Sequence, residues 1–233
     1  MKFGITQSFP CSYLTDQQER LLVFVDDNNA PSAQHYDVLI AAGFRRSGTQ
    51  IYRPHCTDCQ ACKSLRLPVK DFKPSKSQKR VLKLNSDLTT NVSLHSKPEY
   101  YAIYERYINE RHADGSMYPA SKEQYEGFVI SPWDRAMYVE LMLGETLIGV
   151  AVTDRLNSSL SALYTFFLPE YAQRSLGTYA ILQQVQLAQQ LKCDFLYLGY
   201  QIDSCQKMNY KQNFLPHERF LNDKWQLIVK NVG

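Results

Sequence analysis

Three apolar runs in close succession, residues 137–143, 147–156 and 160–168, limit the folds open to this chain more than any other feature. Gly144-Glu145 and Asn157-Ser158-Ser159 separate them, so they read as an antiparallel meander. Residues 175–191 then keep Ile181, Val185, Ala188 and Leu191 on one helical stripe, and residues 195–200 (FLYLGY) read as a buried strand. Strand, short loop, helix, strand is a crossover unit of right-handed sense. A ligand is expected where its strand ends meet the helix N-terminus.

The first half reads as shorter, mixed elements. Leu21–Val25 is a strand, and Asp26, Asp27, Asn28 and Asn29 form a turn. Ser32 caps a helix that runs through Ala42 and stops at Gly43. Residues 52–68 form a cysteine- and proline-bearing loop that tightens into a strand near 65–69, and Lys76–Leu84 is helical. Pro98 opens a helix carrying Tyr100, Ile103, Tyr104, Tyr107 and Ile108 until Asp114-Gly115 breaks it. Ser121 and Gln124 make a capping-box pattern for a helix towards Ile130 that Pro132 ends. These elements predict an α+β protein with an N-terminal cysteine-bearing region, 1–70, before a larger domain, 71–233.

The chain is 233 residues long and 44% hydrophobic, enough for a substantial core. No window approaches the ~18 consecutive apolar residues of a membrane span. The first residues lack a secretory pattern, so a cytoplasmic location away from membranes is expected. In a reducing cytosol the six cysteines are read as thiols or ligands rather than disulfides. The net charge is only +3, yet Lys63, Arg66, Lys70, Lys73, Lys76, Lys79, Arg80 and Lys83 stand against a single acid, Asp71. Such a block suits a phosphate-contacting surface.

Residues 52–80, YRPHCTDCQACKSLRLPVKDFKPSKSQKR, resemble the N-terminal signature of the arginyltransferase superfamily, in its bacterial aspartate/glutamate leucyltransferase branch. The resemblance continues through DGSMYP (114–119), LSALYTFFLPEYAQRSLGTYAI (160–181), LYLGYQI (196–202) and KMNYKQNFLP (207–216). It implies an acetyltransferase-like (GNAT-type) mixed sheet with flanking helices. It also implies transfer of leucine from leucyl-tRNA to proteins or peptides beginning with Asp or Glu. The competing readings are arginine as the transferred residue, an acyl-CoA-dependent acetyltransferase, and a non-catalytic RNA-binding module.

Individual residues sort by chemistry. Cys56, Cys59 and Cys62 are spaced C-x2-C-x2-C, with Cys11 or His55 as a fourth donor. The spacing permits a structural zinc or iron–sulfur site, and equally three thiols in a close-packed turn. Arg66, Lys79 and Arg80 are assigned to the acidic substrate, since a guanidinium grips a carboxylate at two points. Lys73, Lys76 and Lys83 are assigned to tRNA phosphates. Arg174, Ser175 and Gly177 open the crossover helix in a pattern similar to the acetyltransferase R-x-x-G-x-G/A loop, and are assigned to an anion, the terminal phosphates of the tRNA. Tyr179 stands where that loop has a small residue, and its ring is expected to obstruct coenzyme A. At the strand ends, Tyr164, Gln201 and Asp203 are the catalytic candidates, with Lys207 and Tyr210 as further substrate contacts. No other cofactor is expected, because an aminoacyl ester is already activated and the attacking α-amine, with a pKa of about 7.7–8.0, is partly neutral at cellular pH. Positioning then carries most of the catalysis.

Overall fold

The computed structural model describes residues 1–26, 32–115, 117–131 and 133–229, so Asp27, Asn28 and Asn29 of the expected turn, Ser116 and Pro132 lie outside the described residues. The chain opens with β1 (Lys2–Ile5), β2 (Phe9–Pro10), β3 (Gln18–Glu19) and β4 (Leu21–Val25), followed by α1 (Ala33–Ala41), β5 (Arg45–Ser47) and β6 (Gln50–Pro54). β1, β4, β6 and β5, in that order, form a small antiparallel sheet, and β2 pairs with β3 alongside. The Ser32 hydroxyl accepts from the His35 amide while the Ser32 amide donates to the His35 ring, so both ends of the capping box are made. Gly43 ends the turn after α1 at φ 83°, and a Cβ there would lie 2.8 Å from the Phe220 ring.

The remaining elements are β7 (Lys63–Pro68), α2 (Lys76–Leu84), β8 (Leu88–Ser93), α3 (Pro98–Arg111), α4 (Lys122–Val129), β9 (Ala136–Leu143), β10 (Thr146–Arg155), β11 (Ser159–Phe167), α5 (Leu176–Gln190), β12 (Phe195–Gln201), α6 (Gln206–Asn209), β13 (His217–Leu221) and β14 (Lys224–Ile228). Single 3-10 turns, Pro169–Arg174 and Tyr210–Asn213, precede α5 and β13. An eight-stranded mixed sheet runs β14-β13-β7-β12-β11-β10-β9-β8. The meander β9–β10–β11 is antiparallel as expected, and α5 carries the chain over to β12, which lies parallel to β11. β7, although it belongs to the first 70 residues, pairs with β12 on one side and β13 on the other. The N-terminal region is therefore stitched into the large sheet.

One face of that sheet is covered by α2 and α5, where Ile181, Leu182, Val185 and Ala188 meet Leu65, Leu67, Leu196 and Leu198. On the other face α3 and α4 set Tyr100, Tyr104, Ile108 and Tyr125 on Tyr138, Val150, Val152 and Phe166. The small sheet and α1 share this second face, packing Phe24, Tyr36, Leu39 and Ile40 around Tyr197 and Leu156. A buried ion pair locks them there: Arg46 donates from Nε and Nη2 to both oxygens of Asp154, each at 2.6 Å. Ser121 caps α4 as expected, but Gln124 reaches Tyr104 rather than back to the cap, so the capping box is half made.

His217, 1% exposed, accepts from Arg219 at Nε2 and lies 2.9 Å from the Phe214 carbonyl at Nδ1, an arrangement that fixes the neutral ring. Burial holds its pKa below the ordinary histidine value, and the Arg219 charge adds to this. A group depressed on folding takes up its proton first in the unfolded chain, so stability is complete above about pH 6.5 and falls as the pH drops below it. Urea midpoints measured between pH 7 and 5 are expected to fall, with a shallower slope in His217→Gln.

Candidate active site

Parallel pairing between β11 and β12 lasts only from Ser159–Phe195 to Ser161–Tyr197. Beyond it each strand carries a bulge, at Leu163 in β11 and Leu198 in β12, and each keeps its other neighbour, so the two strands part. Gly199, at φ 85°, gives β12 the backbone turn this needs. The opening is walled by α3, by the segment after β12 and by the loop between β2 and β3.

Tyr164 stands on β11 at this parting, half-buried, with its ring 6.4 Å from Tyr107 and 5.3 Å from Phe128. Burial, then Tyr107, Tyr104 and Tyr13, hold its phenol well above the ordinary tyrosine range. Tyr13, from the β2–β3 loop, is raised in the same way, by burial and then by Tyr52, Glu19, Cys62 and Cys205. These phenols stay protonated near neutral pH, so they can donate a hydrogen bond but not take up a proton. Tyr107 joins the wall to His112, whose ring lies 4.8 Å away. The Asp114 carboxylate accepts from Lys207 at 2.8 Å, which ties α6 to the end of α3. Tyr164 and Tyr210 both lie near Tyr107, and Lys207 reaches the same end of α3 through Asp114.

Other expected site residues are already engaged. Asp203 accepts from Gln201 at 2.8 Å and from Arg219 at 3.2 Å, and these partners hold its carboxyl below the ordinary value. Both of its oxygens are thus already engaged by donors from the protein. Gln201 is fully buried, and its Oε1 is an acceptor with no partner among the described residues. Arg66, expected to meet an acidic substrate, instead donates to Glu218 at 2.6 Å and to the Tyr197 hydroxyl, sandwiched against Phe195 and Trp225. Its role is to hold β7 to β13. Arg174 makes a two-point pair with Asp87 at 2.8 and 2.9 Å, so it is not a free anion ligand.

The first turn of α5 remains available. A Cβ on Gly177 would meet nothing within 4 Å, so the approach to the amides of its helix N-terminus is clear. Tyr179 is only 4% exposed and packs into the core with Leu176 and Ala180. Its ring therefore does not obstruct that terminus, contrary to the expectation from the loop pattern. Next to it runs α2, whose C-cap Asn85 donates to the Arg174 carbonyl. Lys73, Lys76, Lys79, Arg80 and Lys83 are all exposed there, without an ion pair among the described residues. Lys79 and Arg80 belong with this surface rather than with Arg66.

Cys11, Cys56, Cys59 and Cys62 line a cleft of about 360 Å³ whose wall also includes Gly43, Ser64 and Tyr200. Burial, then the neighbouring Cys56, Cys11 and Cys59, push the Cys62 thiol up to about 12. Among the described residues no three His, Cys, Asp or Glu side chains are set to hold a metal ion. The thiols converge, but they do not form a coordination shell.

Two further groups stand out: Lys211, which the sequence already offered as a candidate beyond the strand at 195–200, and Arg45, which it did not single out. Lys211 is buried, donates to the Tyr200 carbonyl at 2.6 Å, and is pushed down to about 7 by burial and the Arg45 charge. Arg45, 6% exposed, lies over the Tyr197 ring and bonds the Leu65 carbonyl.

The sequence matches the model of the arginine-tRNA-protein transferase N terminus over residues 9–80 and that of its C terminus over residues 99–221. The chain belongs to the arginine-tRNA-protein transferase family. Within that family it is 60% identical over 230 residues to an aspartate/glutamate leucyltransferase of Pseudoalteromonas atlantica, covering 99% of each chain. Enzymes of the same name from Aeromonas salmonicida and Vibrio cholerae are 54% and 48% identical, with 98% and 97% of this chain and 95% and 97% of theirs covered. The fold of this transferase is α+β, with helices flanking an eight-stranded mixed sheet. It is shared with the C-terminal domain (DUF2156) of a provisionally assigned lysylphosphatidylglycerol synthetase from Agrobacterium fabrum, at a TM-score of 0.51, 10% identity, and 72% and 58% coverage of the two chains. No helix among the described residues of this family member is long and apolar enough to cross a membrane.

Proposed function

We propose that this protein transfers leucine from leucyl-tRNA to the α-amine of proteins that begin with Asp or Glu, in the cytoplasm, and so marks them for degradation. The carrying observation is the near full-length identity to relatives named for that activity. The site supplies chemistry that suits it. The α-nitrogen attacks the ester carbonyl, a C–N bond forms, the bond to the ribose oxygen breaks, and an amine proton ends on the released hydroxyl. Tyr164 donates to the oxyanion that develops, a role that oriented donors fill in a site shielded from water. The exposed bases of α2 take acceptor-stem phosphates, and the N-terminus of α5 takes a phosphate near the 3′ end. The ester is already activated, so transfer draws on no further cofactor, and the converging cysteines serve structure, as a close-packed turn or as a zinc or iron–sulfur site.

The test incubates the protein with labelled leucyl-tRNA, arginyl-tRNA or acetyl-CoA and peptides beginning with Asp, Glu or Ala. Label is expected from leucyl-tRNA alone and on the acidic peptides alone. Incorporation from arginyl-tRNA changes the donor, and incorporation from acetyl-CoA overturns the reading.

A further inference from the structure

Behind the cleft wall of Gly43, Ser64 and Tyr200 the protein buries two cations together. Arg45 has unpartnered donors at Nε and Nη1, and the Ser64 hydroxyl beside it is unpartnered as well. What surrounds the guanidinium is phenolic: Tyr36, Tyr200, Tyr197 and Tyr52. Lys211 lies within its electrostatic reach and is held by a backbone carbonyl and the Met208 sulfur. Among the described residues neither cation has a carboxylate partner. An isolated buried charge costs several kcal/mol, and a like charge beside it adds to that cost. A fold tolerates such a pair where an anion completes it.

We infer that Arg45 and Lys211 form the pocket for the acidic side chain of the residue that receives leucine. The position fits. Arg45 is two residues from Gly43 and bonded to the carbonyl of Leu65, next to Ser64, and both Gly43 and Ser64 line the cleft. Lys211 holds the carbonyl of Tyr200, itself a cleft residue, beyond the point where β12 leaves β11. The pocket explains refusal as well as acceptance: an amide in place of the carboxylate leaves the Arg45 guanidinium, which cannot shed its proton, unpaired in a dry site, a much larger penalty than a missing methylene. This assignment rests on the proposed function.

The test compares wild type, Arg45→Met, Arg45→Lys and Lys211→Met by peptide titration without tRNA and by steady-state transfer. Wild type is expected to bind a peptide beginning with Asp at least tenfold more tightly than its Asn counterpart. In Arg45→Met that preference vanishes and KM for acidic peptides rises about 10–100-fold with a smaller change in kcat, while the melting temperature stays level or rises, because an uncompensated charge has been removed. Arg45→Lys restores part of the preference. An unchanged Asp preference in Arg45→Met, or in Arg45→Lys and Lys211→Met should the first variant not fold, overturns the pocket. A wild type that prefers Asp peptides yet transfers no leucine leaves the pocket standing and sinks the activity instead.

Discussion

Asp154→Asn is expected to lower the stability of this protein by about 3–5 kcal/mol, the cost of stranding a buried charge. Arg46 and Asp154 are 0% and 1% exposed, and their two 2.6 Å bonds are the reason so large a cation is tolerated between β5 and β10. The other Arg46 contacts, to the carbonyls of Gly48 and Phe128 at 3.4 Å, cannot replace a negative charge. A change of that size is a large share of the 5–15 kcal/mol typical of a folded domain, and in a chain of this length it lowers the melting temperature by roughly 6–20 °C. Replacing both partners, Arg46→Met with Asp154→Leu, should recover most of the loss, since well-packed apolar residues often match a buried pair. A single variant that melts within two degrees of wild type, measured as about 2 °C against that range, would show that the pair does not hold the small sheet in place.

Reversing the charge of Lys73, Lys76 and Lys83 together is expected to weaken leucyl-tRNA binding by about 100-fold near physiological salt. Each phosphate neutralised contributes a slope of about 0.7–0.9 in log affinity against log salt, or roughly two-thirds of a decade at 0.15 M. The loss should therefore come with a salt dependence shallower by about two to three units. The three side chains are exposed, so folding should be unaffected. Filter binding of tRNA across a salt series measures both quantities. An unchanged slope would move the tRNA to another surface.

The long elements were legible because period and caps agree. Pro98–Arg111 has both its apolar stripe and a proline in its first turn, and the meander alternates with clear turns. The strands β1, β5, β8, β13 and β14 were not read, since short edge strands with mixed faces gain their order from partners far along the chain. The same distance hid the state of the charges. Arg66 meets Glu218 and Arg174 meets Asp87, pairings that no local spacing announces. Lys211 was a candidate in the sequence by its place after residues 195–200, with no sign of its burial, and Arg45 was only half of an arginine doublet. Both arginines are buried, and what distinguishes them is that Arg46 has an acid while Arg45 has none among the described residues.

The place of β7 between β12 and β13 also bears on how the protein is made. Leu65 pairs with Gly199 and Arg219, so a strand finished early in synthesis has no neighbours until the last quarter of the chain leaves the ribosome. At about 5–20 residues per second that wait is on the order of ten seconds. During it the cysteine loop and the apolar face of β7 are open to solvent and to other nascent chains. Folding of this protein is thus expected to be largely post-translational, with its first strands the segment most in need of a chaperone.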